Sequence, residues 1–107
     1  MASFEWKERL LDIFAATVNQ QTLEEAAEDM ASLSFCYPSL HEDYLRTFDF
    51  AIEALQSGDN YPVECVNRSG YKAHGAEDAL ELVEDLKEIY MRIFMAGKVK
   101  GSQHEGN

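Results

Sequence analysis

The chain has 107 residues, 46 % of them hydrophobic, and a formal charge of −11 at pH 7. That length supports one small domain with a single core, and the apolar share argues against wholesale disorder. The charge argues against direct binding of DNA, RNA or an anionic membrane surface and in favour of basic partners.

Ser3 is placed to cap a first helix over about 4–18, where Trp6, Leu10, Ile13, Phe14 and Thr17 share a side and Leu11 and Val18 adjoin it. Glu5 stands four residues before Arg9, a weakly helpful order. The polar Asn19-Gln20-Gln21 ends this helix. Thr22 and Glu25 then have the spacing of a capping box, threonine followed three residues later by glutamate. They open a second helix over 23–33, with Leu23, Ala26, Ala27, Met30 and Leu33 inward. Pro38 biases Tyr37 away from helical angles, so 35–38 interrupts the pattern. Ser39 and Glu42 repeat the capping-box spacing ahead of a third helix over 40–56, which turns Leu40, Tyr44, Leu45, Phe48, Ala51, Ile52 and Leu55 to one side and stops at Gly58.

Residues 57–75 form a long irregular connection, unusual in a small domain unless it is functional or partly ordered. A short helix over 62–66 is favoured. The alternative pairs 63–66 with 71–73 as strands across an Asn67-Arg68-Ser69-Gly70 turn. A fourth main helix over 76–96 turns Ala79, Leu82, Val83, Leu86, Ile89, Tyr90, Ile93 and Phe94 inward, with Gly97 as its natural stop. Its other side carries Glu77, Glu81, Glu84, Asp85, Glu88 and Arg92. The pattern predicts an all-α, single-domain bundle of four main helices over 1–97, followed by a flexible polar tail over 98–107.

The chemistry of sites is sparse. Cys36, His41, Cys65 and His74 match no common zinc spacing, and neither the zinc-protease nor the di-iron helix motif is present. Neither cysteine carries a nucleophile signature, no glycine-rich phosphate loop occurs, and the paired carboxylates sit at helix starts or on polar sides. The expectation is a non-enzyme with no catalytic residue, no metal and no cofactor. Two cysteines make no disulfide framework, so both are expected as free buried thiols in a reducing cytoplasm. The opening residues lack a signal-peptide layout, and no apolar run reaches membrane-span length.

Charge distribution is the sharper signal. Residues 22–59 hold nine acids against Arg46 alone, and residues 76–88 hold six against Lys87. On the last helix Glu77, Glu81, Glu84 and Glu88 form a ridge thickened by Asp78 and Asp85. Like charges four residues apart cost about 0.2–0.5 kcal/mol each, and few offsets exist, such as Glu88 with Arg92 and Glu42 with Arg46. Tyr61 and Tyr71, beside the irregular connection, are of the amphipathic type common at interface anchors. The expected partner-binding surface is Glu77, Asp78, Glu81, Glu84, Asp85 and Glu88 with Tyr61 and Tyr71. Glu24, Glu25, Glu28 and Asp29 form the competing acidic face.

In size, charge and build the whole chain resembles the small acidic immunity proteins of bacteria that neutralise nuclease toxins, including those of contact-dependent growth inhibition systems. The resemblance implies a tight one-to-one complex in which the acidic surface occupies the basic groove of a nuclease toxin domain. Two other functions stay open: a helical adaptor or assembly subunit, and an acidic mimic of DNA that blocks a DNA-binding protein.

Overall fold

The computed structural model describes residues 5–19 and 21–105, with side chains for 5–19 and 21–97. Its axis is the helix α5 (Ala76–Glu105), against which α2 (Leu23–Cys36) and α3 (Pro38–Gln56) both pack. α1 (Trp6–Asp12), continued by a π-helical stretch Ile13–Val18, lies on α3, and α4 (Tyr61–Arg68) closes the bundle against α5 and the π-helical stretch. The described residues contain no strand. The all-α class therefore matches expectation, with five helices where four main ones were expected.

Each helix follows from its residues, though not always by the expected device. In α1 the register changes at Ile13 to the wider i→i+5 pattern of a π-helix. That shift brings Val18 fully into the core and leaves Thr17 only half-buried, reversing the order expected from an α-helical period. The expected Ser3 cap, Phe4, and Gln20 in the expected stop lie outside the described residues. At α2 both capping-box bonds form: Glu25 N–H donates to Thr22 Oγ1 at 3.1 Å, and Thr22 N–H to Glu25 Oε1 at 3.1 Å. The helix runs three residues past its expected end, so the break before α3 narrows to Tyr37 alone.

The second expected capping box does not form. Tyr37 is the N-cap of α3 and Pro38 is its first residue. Proline fixes the first helical φ and lacks the N–H that a cap would satisfy, so Ser39 is already inside the helix. Gly58, at φ +93°, ends α3 as expected, because only glycine takes that conformation cheaply. The favoured short helix is present as α4, longer than expected, and the strand pairing is not. Asp59 Oδ1 accepts the Tyr61 N–H at 2.9 Å at its start. The chain leaving α4 is tied back where Asn67 Oδ1 accepts the Ala73 N–H at 2.7 Å.

Gly97 does not stop the last helix, which continues to Glu105 through the stretch expected as a tail. A Cβ at Gly97 would sit 2.7 Å from Cζ of Phe35, so this glycine admits a ring from α2 rather than a chain reversal.

The core is one cluster. Leu10, Phe14, Met30, Phe48, Val66, Val83 and Leu86 are among its fully buried members, and Tyr90 is its largest. Tyr90 is 0 % exposed, and its hydroxyl lies 2.7 Å from Ser34 Oγ and 2.8 Å from His41 Nδ1. Burial pushes its phenol up to about 12, although the Ser34 hydrogen bond works the other way. One side chain of α5 is thus bonded to α2 and α3 at once.

Candidate protein-binding surface

The antiparallel run of α3 against α5 builds the most distinctive surface. Asp49 meets Lys87 at 2.8 Å, while His41, eight residues earlier, meets Tyr90 and stacks on Phe94. Between these helices lies an open groove of about 470 Å³ lined by Ile52, Glu84, Asp85, Lys87, Glu88 and Met91. Its apolar lining is Ile52 and Met91, both half-buried, and its exposed carboxylates come from successive turns of α5. The neighbouring exposed side of α3 adds Asp49, Phe50 and Glu53, which with Arg46 line a second shallow pocket of about 300 Å³.

Glu84, Asp85 and Glu88 flank Ile52 and Met91 in the groove, while Asp49 and Glu53 border Phe50 in the second pocket beside it. Two cations lie among these acids: Lys87, which meets Asp49, and Arg46. Such a surface presents a strong negative potential beside apolar side chains, the combination that suits the long stem and charged head of arginine or lysine.

The expected contact residues are divided by the structure. Glu84, Asp85 and Glu88 come together at the groove. Glu77, Asp78 and Glu81 are exposed on the earlier turns of the same helix, where Asp78 Oδ2 accepts the His74 N–H at 3.0 Å. Tyr61 is half-buried, donates its hydroxyl hydrogen to the Lys7 carbonyl at 2.9 Å, and meets Trp6 edge-on at 6.1 Å. Its phenol is pushed up to about 12, first by burial and then by a hydrogen bond with Cys65. Tyr71 is half-buried too and donates to the Gln21 carbonyl at 3.0 Å. Both tyrosines fasten loops and helix ends.

The competing acidic face is also exposed, at Glu24, Glu25, Glu28 and Asp29. It is linked to α5 where Arg92 lies 3.9 Å from Glu24, in place of the Glu88 offset expected within the helix. Arg9 likewise reaches Asp43 on α3 at 3.5 Å rather than pairing with Glu5. Cross-helix reach wins because the neighbouring helix offers a carboxylate at the right height.

Phe50, Ile52 and Met91 escaped the sequence reading of the surface. Phe50 left a signal: it falls off the inward stripe of its helix, yet it is an aromatic among acids. In the fold it is 43 % exposed and stacked on Trp6 at 6.1 Å and 17°.

Cys65 is buried as expected, whereas Cys36 is exposed because it closes α2 at the corner. Burial raises the Cys65 thiol above its usual value, which keeps it protonated and unreactive. Among the described residues no three His, Cys, Asp or Glu side chains converge as a metal site, and no helix is long and apolar enough to cross a membrane. No known protein family, characterised protein or solved structure matches the chain.

Proposed function

We propose that this protein is an immunity protein, an antitoxin that binds a basic nuclease toxin domain and blocks it through the α3–α5 surface. The observation that carries the reading is the groove itself: Glu84, Asp85 and Glu88 beside Ile52 and Met91, with Asp49, Phe50 and Glu53 next to it. A nuclease must present positive charge to hold phosphates. A rigid array of carboxylates on two packed helices reproduces part of a phosphate backbone's charge and steers the partner to it. Affinity then comes from the few apolar side chains that are desolvated at the centre. Glu77, Asp78 and Glu81 extend the field along α5 and contribute to encounter more than to the final contact.

Affinity capture with the tagged chain from its native cells, washed at low and then high salt, tests this. The expected result is one basic nuclease domain in equal amount, whose cleavage of nucleic acid stops when the purified chain is added back. Loss of that inhibition in a chain carrying Glu84→Lys and Glu88→Lys completes the case. Capture of no basic protein, or of one whose activity the chain leaves unchanged, contradicts it. The adaptor or assembly reading draws on a different observation, the exposed aromatic corner between α2 and α3.

A further inference from the structure

Within the α3–α5 groove the chain supplies a cation of its own. Lys87 is the single basic residue of 76–91, against six acids, and it lines the same groove as Glu84, Asp85 and Glu88. Its side chain is 34 % exposed and its ammonium donates to Asp49 Oδ1 at 2.8 Å, while that carboxylate is 67 % exposed. On α5, Lys87 follows Glu84 by three residues and precedes Met91 by four; on α3, Ile52 follows Asp49 by three. Those spacings put each set on one side of its helix, so the lysine crosses from α5 to α3 within the lining of the groove.

A pair this exposed contributes little to stability, because water solvates both partners and two flexible side chains must be held in one geometry. Lysine meets Asp49 as a point charge on a rotatable stem. A guanidinium can meet the same carboxylate with two parallel hydrogen bonds. An incoming arginine therefore displaces the ammonium from Asp49, and the lysine head turns out to water at little cost. Whatever takes its place is itself cationic, since a neutral occupant leaves Asp49 unpaired beside Glu84, Asp85 and Glu88.

We propose, resting on the reading of this groove as the docking surface for a basic protein, that Lys87 is a built-in competitor for it. Its ammonium holds on Asp49 the place that an arginine of the partner takes, so docking exchanges one cation for another and Lys87 sets its strength. Removing the lysine leaves Asp49 open and tightens cation binding, and Asp49 then matters more than it does in the wild type. A lysine acting only through the overall field of the molecule would also oppose binding, but its effect would add to that of Asp49 rather than couple to it.

Isothermal titration calorimetry of the full chain with a hexa-arginine peptide at about 20 mM salt tests the exchange. Lys87→Met should bind the peptide at least about threefold tighter than the wild type, with helical content unchanged. Asp49→Asn should weaken binding at least about threefold more in the Lys87→Met background than in the wild type. If Lys87→Met loses helix, Lys87→Gln takes its place with the same expectations. Equal affinity in the wild type and the Lys87 variant, or additive effects of the two substitutions, overturns the exchange while leaving the groove as a docking surface. A peptide that does not bind the wild type, or binds as well after Glu84→Gln with Glu88→Gln, removes the groove as a cation site and the exchange with it.

Discussion

Tyr90 shows how much of this fold depends on one hydroxyl. Its ring is packed among Tyr44, Phe48 and Phe94, and its oxygen stands between Ser34 and His41. Removing that oxygen with Tyr90→Phe leaves the Ser34 hydroxyl, 2 % exposed, without this partner. The expected cost is about 1–3 kcal/mol by denaturant unfolding, because a buried polar group then loses its hydrogen bond. Ser34→Ala in the Tyr90→Phe background should cost less than in the wild type, and the double-mutant cycle measures the difference.

The same residue makes a pH prediction. Burial holds the Tyr90 and Tyr61 phenols up to about 12, and it raises Tyr44 as well, with Arg9 acting against it. In the unfolded chain these groups ionise near their ordinary value of 10.0. The folded state therefore binds more protons between those values, and stability falls with rising pH wherever that is true. The contribution is fully present below about pH 10 and is lost as pH rises toward about 12. Unfolding midpoints through that range should drop for the wild type and drop less steeply for Tyr90→Phe.

At the scale of elements, two capping boxes with the same spacing behave differently, and a pair of mutants separates them. Thr22→Ala should cost about 1 kcal/mol, since both reciprocal bonds of its box are formed. Ser39→Ala should stay within about 0.5 kcal/mol, because Pro38 opens that helix and Ser39 makes no cap. Helix existence was legible throughout because it depends on local periodicity: the inward set of α5 and the Thr22 box appear in the fold as read. What failed depended on distant residues. Gly97 reads as a stop until a phenylalanine sixty-two positions earlier is found resting on it. The π-helical register at Ile13–Val18 carries no local signature, and it redirected Val18. The acids of α5 could be read as a ridge, but the groove beside them needed the register of α3 on α5, a pairing between residues such as Asp49 and Lys87 that are 38 positions apart.

Across the whole molecule, charge is partitioned rather than spread. Acids line the α3–α5 groove, the exposed turns of α5 and the start of α2, while the α2–α3 corner is aromatic and free of carboxylates from 31–41 and 89–97. The proposed binding of a basic partner at the groove should weaken as ionic strength rises, a response that a solvated acidic coat kept only for solubility would not produce.

The most direct test of the central claim is the association rate of the chain with its captured basic partner, by stopped flow at low and high salt. The wild type should associate at least about tenfold faster at low salt. Glu84→Lys, Asp85→Lys and Glu88→Lys together should remove most of that gain while leaving helical content intact. Unchanged kinetics in this folded triple variant would contradict the α3–α5 assignment and move the contact to Glu24, Glu25, Glu28 and Asp29.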